Sequence, residues 1–291
     1  MTENAKTLPH SSHWGAFRAR VENGKLVGVE PFEKDRNPSP LLRSIPDALY
    51  HKTRVPQPMV RAGWLERGPE SRERRGEEPF VPVSWEVALD LVADELKRVK
   101  EKHGNASIFG GSYGWGSAGR FHQAKIQLHR FLNTIGGFTA QVHTYSIAAG
   151  YAILPYALGD HAACTGPLTS WDSIARHGRL VVMFGGLPLK NVQVCHGGPV
   201  EHATLHWLRR ARGAGVEFVN IGPLREDAPD FLGAEWIAPR PNTDTALMLG
   251  LAHTLQAEGL HARAFLARYC AGYARFERYL LGKDGSQPKD A

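Results

Sequence analysis

The chain has 291 residues, 42% hydrophobic, with a formal net charge of +6. That length suits about two domains, and no apolar run is long enough to span a bilayer. The positive charge is mild and scattered, so composition calls for no nucleic-acid partner.

The first residues, MTENAKTLPHSSHWG, hold neither an apolar segment nor paired arginines, so no export signal is expected. Cys164, Cys195 and Cys270 lie far apart with no C-x-x-C, which argues against a zinc ribbon or an iron–sulfur cluster. A reduced, cytoplasmic setting is expected. Ala16–Val21 and Lys25–Val29 alternate around Asn23-Gly24, the sequence of a tight hairpin. Residues 33–82 are rich in Pro, Arg and Glu, and ERGPESRERRGEEP (66–79) reads as an exposed charged loop. Ser84 is placed to cap a helix whose stripe is Ala88, Leu89, Val92, Leu96 and Val99, closed at His103-Gly104.

Ser107-Ile108-Phe109 reads as a strand end, and a second helix carries Phe121, Ala124, Leu128, Phe131, Leu132 and Ile135 up to Gly136-Gly137. RLVVMF (179–184) reads as a buried strand. Pro199 suits the start of a helix running to Arg212. VEFVNI (216–221) reads as another strand, and Asn242-Thr243-Asp244 as the cap of an apolar helix to Gln256. Strands alternating with helices imply a parallel α/β sheet with ligand-bearing loops at the strand ends.

Between the first strand and helix of that series lies GSYGWGSAGR (111–120), which contains a literal G-x-G-x-x-G. A nicotinamide dinucleotide site needs an acid about twenty residues further on. Lys102 through Gly159 contains no Asp or Glu, where about six would be expected from the overall composition. The gap suits contact with polyanionic phosphate, or equally a buried core, and disfavours a nicotinamide cofactor. Tyr113 and Trp115 sit between the glycines, where they can line a pocket or plug the turn against a neighbour. His103, His122, His129 and His143 have no metal-ligand spacing.

GSYGWGSAGRFHQAKIQLHRFLNTIGG, TYSIAAGYAILP and PLREDAPDFLGAEWIAPRPNTDTALMLGLAHTL together resemble the dimethyl-sulfoxide reductase family of molybdopterin oxidoreductases. They are most like its biotin-sulfoxide and trimethylamine-N-oxide reductases. The early SSHWGAFRARVENGKLVGVEP is similar to the family's N-terminal strands. The resemblance implies a β-rich segment (1–60) and an α/β domain with the glycine turn and metal ligand (61–150). A Rossmann-like guanine-dinucleotide domain (151–291), incomplete at its C-terminus, follows. It implies molybdenum held by bis-molybdopterin guanine dinucleotide, with no iron–sulfur cluster. The implied activity is reduction of S-oxides (biotin, dimethyl or methionine sulfoxide) or N-oxides by oxygen-atom transfer, with electrons from an external donor.

By resemblance Ser146 ligates the metal, although the residues alone make it an ordinary candidate for a helix cap. Tyr113 would hydrogen-bond the oxo group or the substrate oxygen, and Trp115 would cover the metal. This Tyr tilts the substrate toward sulfoxides. Ser112, Gly114 and Ser117 would meet the pterin. Gly185, Gly186, Pro188, Asn191, Pro223, Asp227, Asn242 and Asp244 would hold the guanosine half of one dinucleotide. Asp227 reads otherwise as a surface carboxylate, and Asp244 as a first-turn cap. Leu187 departs from the family's Gly-x-Asn/Asp-Pro turn, and Asn191 would stand in for the missing polar group. Family enzymes are more than twice as long, so an N-terminal fragment, inactive alone, is expected, with a complementing C-terminal chain as the alternative. The competing function class is a non-catalytic guanine-nucleotide-binding or assembly module.

Overall fold

A computed structural model of the chain describes residues 5–112, 123–142, 146–161, 166, 168–194, 201–283 and 285. The fold is mixed α/β, with small sheets, and divides into two compact units. One comprises residues 1–169 and 192–205, the other residues 170–191 and 206–291.

The first unit opens with an antiparallel meander, β1 (Ala5–Ser12), β2 (Gly15–Glu22) and β3 (Lys25–Pro31). Asn23 and Gly24 have φ of 50° and 77°, the left-handed pair that a two-residue hairpin needs. Alternation puts Phe17 and Ala19 inward, against Leu42, Trp14, Leu26, Val29 and Ile45. Leu42 comes from a 3-10 turn, Pro40–Ser44, capped where Ser39 Oγ accepts from Leu41 N–H. Helix α1 (Ile45–Tyr50) follows, and Tyr50 Oη accepts from Leu26 N–H at 2.8 Å. The buried Asp35 and His202 meet at 2.6 Å through Oδ2 and Nδ1, while Asp35 Oδ1 accepts from His202 N–H at 2.9 Å. His202 Nε2 lies 2.8 Å from Gln193 O, so the ring is held at both nitrogens.

Next come β4 (Met59–Arg61), α2 (Ala62–Arg67) and β5 (Phe80–Pro82), which pairs antiparallel with β4. The 66–79 segment between them is not a simple exposed loop. It forms a 3-10 turn, Gly68–Arg74, whose Ser71 is buried. Glu78 is drawn inward because its carboxylate meets both the Arg61 guanidinium and Gly63 N–H. Ser71 supplies Arg61 with two further acceptors, its carbonyl at 3.2 Å and its Oγ at 3.1 Å.

Helix α3 (Trp85–His103) starts where Ser84 Oγ accepts from Val87 N–H and ends at Gly104, φ 74°. On its surface the Arg98 guanidinium, hydrogen-bonded to Glu95, holds that carboxyl below its usual range. The strand expected at 107–109 is shifted. Asn105–Ser107 form a 3-10 turn, and β6 is Phe109–Gly110, parallel to β7 (Thr139–Ala140). Asn105 Nδ2 donates to Gly137 O at 2.9 Å and fixes that crossover. Helix α4 (Ala124–Thr134) connects the two strands, with Leu132 buried. Helix α5 (Ala148–Leu158) ends at Gly159, which is left-handed.

The second unit holds α6 (Trp171–His177), β8 (Leu180–Phe184), most of α7 (Thr204–Gly213), β9 (Glu217–Ile221) and β10 (Glu235–Ile237). The strands are parallel in the order β10-β9-β8. Ala175, Met183, Leu208, Ala211, Val216, Phe218, Ala228 and Leu232 form one core on one face. The expectation that RLVVMF is wholly buried fails because alternate residues Leu180, Val182 and Phe184 leave that core and remain exposed. Helices α8 (Asp244–Ala257), α9 (Arg263–Tyr269) and α10 (Tyr273–Leu280) follow. The helix expected from Pro199 is assigned from Thr204, and Pro199 itself lies outside the described residues.

The inward turn of Glu78 yields a direct test. Its side chain is 8% exposed, whereas that of its neighbour Glu77 is 74% exposed. Glu78→Ala leaves Arg61 and Gly63 N–H without their acceptor, so urea denaturation should show a loss of about 3 kcal/mol. Glu77→Ala should stay within about 0.5 kcal/mol.

Candidate functional site

Parallel pairing brings the carboxyl ends of β8 and β9 side by side, since Phe184 pairs with Ile221. The ladder continues one residue beyond the strands, where Gly185 N–H donates to Ile221 O at 2.8 Å. The chain then turns sharply, with φ of 86° at Gly185 and 73° at Gly186. Leu187 N–H donates to Asp227 O at 2.7 Å, which ties this turn to the loop after β9. A Cβ on Gly186 would lie 2.5 Å from Asp227 O and 2.7 Å from Asp227 Cβ. Glycine is required there both by conformation and by space.

The Asp227 side chain is 20% exposed, and one carboxylate oxygen lies 3.9 Å from Lys190 Nζ. Lys190 and Asn191 belong to a 3-10 turn, and Asn191 N–H donates to Pro188 O at 3.0 Å. On the other side, Gly222 N–H donates to Ile237 O at 3.1 Å, and Gly222 O accepts from Trp236 Nε1 at 2.9 Å. Pro223 follows, exposed. Gly185, Gly186, Pro188, Asn191, Pro223 and Asp227 are thus gathered at one end of one sheet.

Asn220, on β9 beneath these loops, was not expected in the site. It is 1% exposed, and its Nδ2 donates to Leu224 O at 3.1 Å and Arg225 O at 3.4 Å. Its Oδ1 is buried and has no donor among the described residues. The only sequence signal was an Asn between the apolar Val219 and Ile221.

The other expected residues lie on other segments of the chain. Asn242 is exposed with φ 68°, and Asp244 opens α8. The expected side-chain cap is missing: Thr243 occupies the N-cap, and its Oγ1 donates back to Arg240 O at 2.6 Å instead. Asp244 still places a negative charge at the helix start, where it is favourable. Ser112 is half-buried just beyond β6, while Tyr113, Gly114, Trp115 and Ser117 lie outside the described residues. Ser146 is exposed in the turn before α5, but the N-cap is Ile147, so the capping reading of this serine does not hold.

The sheet end fits a nucleotide. It offers bare glycine backbone and a lysine beside a partly exposed carboxylate. Among the described residues no group of three His, Cys, Asp or Glu side chains could hold a metal, and no helix is long and apolar enough to cross a membrane.

Comparison with known proteins supplies the wider frame. A family model described as molybdopterin oxidoreductase matches residues 54–278, and one described as its N-terminal domain matches residues 10–50. The chain is 49% identical over 266 residues to a biotin sulfoxide reductase of Cereibacter sphaeroides, covering 91% of this chain and 36% of that protein. It is 41% identical over 286 residues to a dimethyl sulfoxide/trimethylamine N-oxide reductase of Rhodobacter capsulatus, covering 98% and 34%. A trimethylamine-N-oxide reductase of Haemophilus influenzae is 38% identical over 287 residues, covering 98% and 34%. The chain therefore spans about a third of the length of these relatives.

The turn geometry separates two glycines. Gly185→Ala meets open space and should cost about 1–2 kcal/mol from its positive φ alone. Gly186→Ala adds the collision with Asp227 and should cost about 1–3 kcal/mol more. Equal urea midpoints for the two variants would show that the Asp227 loop does not hold this turn.

Proposed function

The chain belongs to the molybdopterin oxidoreductase family, and from that we propose that it serves an enzyme reducing S-oxides or N-oxides. The observation that carries this reading is the 49% identity to a biotin sulfoxide reductase over 91% of the chain. Sulfoxides are the favoured substrates, with biotin, dimethyl and methionine sulfoxide the first to try. The cofactor is molybdenum with bis-molybdopterin guanine dinucleotide. When bound, that group supplies two-electron acceptance of an oxygen atom, and reducing equivalents come from an external donor. A cytoplasmic setting belongs to the same reading.

The chain's own residues divide the work. At the Rossmann-like sheet end, Gly185, Gly186, Pro188, Asn191, Pro223 and Asp227 hold the guanosine half of one dinucleotide. Asp227 offers a carboxylate to nucleotide N–H or O–H donors, and Lys190 limits its charge. Asn242 and Asp244 complete the base contacts. In the first unit Ser112, Gly114 and Ser117 meet the pterin. Ser146 provides one hard oxygen ligand, which suits a metal whose remaining ligands are the cofactor's sulfurs. Tyr113 donates a hydrogen bond to the substrate oxygen, and Trp115 walls the pocket and excludes water.

The test grafts this chain in place of the matching third of the Cereibacter sphaeroides biotin sulfoxide reductase. Purified from a molybdenum-replete host, the chimera should contain molybdenum, release guanine nucleotide on denaturation and oxidise reduced viologen with biotin sulfoxide. Absence of both molybdenum and guanine nucleotide would overturn the reading. In the chimera, Ser146→Ala should abolish sulfoxide reduction while the melting temperature is unchanged. Unaltered turnover would remove Ser146 from the metal. Tyr113→Phe should lower turnover on the order of 10²-fold or less with molybdenum content unchanged. Parallel loss of metal and rate would instead make Tyr113 a cofactor-binding residue.

A further inference from the structure

The buried pair of Asp35 and His202 takes no part in the proposed chemistry, yet its geometry fixes where its hydrogens must lie. Both residues, and Gln193 beside them, belong to the first unit. His202 Nε2 lies 2.8 Å from Gln193 O, a backbone carbonyl, which can only accept. Nε2 therefore carries a hydrogen, since a bare nitrogen there would set lone pair against lone pair. His202 Nδ1 lies 2.6 Å from Asp35 Oδ2, so a second hydrogen sits between those two atoms, on the ring or on the carboxyl. Asp35 Oδ1 already accepts the N–H of His202 at 2.9 Å and the N–H of Asn37 at 3.1 Å, bonds that favour the carboxylate. Imidazole is also much the stronger base of the two. The two side chains are 2% and 1% exposed. The Gln193 carbonyl and the two N–H groups stand in for the water that a charged pair loses on burial.

We infer that His202 is an imidazolium, a charged clasp that pins residues 193 and 202 to Asp35 and opens in alkali. The two ring bonds exist together only while the ring holds both hydrogens. Loss of the Nε2 hydrogen turns Gln193 O from a partner into a repelling neighbour, and loss of the Nδ1 hydrogen does the same for the carboxylate. Either loss leaves a buried acceptor unmatched. The other charged groups at the clasp are Arg36 and Glu201, one position away on each segment and paired at 2.8 Å. They offset one another, and at 57% and 36% exposure their effect on the ring is screened by water. Above the ordinary histidine range the unfolded chain's ring is neutral while the clasped ring is charged. Unfolding then releases a proton, and stability falls as pH rises. Once the folded ring also gives up its proton, the contribution is gone.

The experiment is nitrogen NMR of the histidine rings in the 291-residue chain, with the His202 signals assigned through bonds from its backbone. At about pH 7.5 an exposed histidine is mostly neutral, whereas His202 should show two protonated ring nitrogens. A single protonated nitrogen, whether Nδ1 or Nε2, overturns the inference. Urea unfolding supplies a second reading through Asp35→Asn. That variant keeps the shape of the pair: its amide nitrogen donates to a neutral ring, and its oxygen still accepts both N–H groups. The parent's unfolding constant, divided by that of Asp35→Asn, should rise about tenfold per pH unit between about pH 7 and 8, because only the parent releases the clasp's proton on unfolding. A ratio that stays flat with pH overturns the clasp. Should Asp35→Asn fail to fold, His202→Gln takes its place in the ratio with the same expected slope, since glutamine has no proton to release. The ring signals are read on the parent alone and decide the matter without either variant.

Discussion

The candidate site depends on a seam at the carboxyl ends of β8 and β9, where two loops meet so closely that Gly186 has no room for a side chain. Parallel strands end on the same side, so the loops that follow them are forced together. Gly185 N–H closes onto Ile221 O, and Leu187 N–H onto Asp227 O. The chain can turn between those bonds only because Gly186 carries no Cβ. Beneath the seam, Leu208, Val216 and Leu232 are fully buried, and Met183 and Phe218 nearly so. That core fixes the register of β8 against β9, and register fixes which backbone groups face the loops.

Outside this core, much apolar surface stays open. Helices α3, α5 and α8 contain no buried residue, yet they present Trp85, Leu89 and Val92, Ile153 and Leu158, and Met248, Leu251 and Leu255. Helices of this length gain most of their stability from packing of an apolar face rather than from propensity. Surface of this kind belongs against other protein, and a chain exposing it is prone to association. The seam at the ends of β8 and β9, by contrast, is held by hydrogen bonds within its own unit.

What could be read from the sequence was what local chemistry decides. The Asn23-Gly24 hairpin, the Ser84 cap and the Gly104 stop follow from residues within a few positions of one another, and the structure contains them. The sheet-end glycines were legible because a turn with positive φ demands them. Long-range polar pairing was not legible. Nothing local distinguishes Glu78 from Glu77, and it is the distant Arg61 guanidinium and Gly63 N–H that draw one of them inward. Asp35 and His202 lie 167 positions apart. Asn220 carried no signal beyond its polarity, because its burial and its bonds to Leu224 O and Arg225 O are set by the loop that follows the strand. Ser146 carried no mark in the sequence beyond being one serine before an apolar run. Its proposed role comes from resemblance, and the structure removes only its rival reading as a helix cap.

Leu187 shows how one residue of the seam serves both loop and core. Its side chain packs against the cluster around Leu208 and Leu232, while its backbone N–H supplies the bond to Asp227 O. The residue therefore works through its backbone for the loop and through its side chain for the core. Lys190 and Asn191, three and four positions on, are both exposed on the following 3-10 turn. Lys190 Nζ lies 3.9 Å from the Asp227 carboxylate, so the far end of the turn sets the charge beside a loop that its near end holds in place. Anchoring and charge are thus separated along the turn.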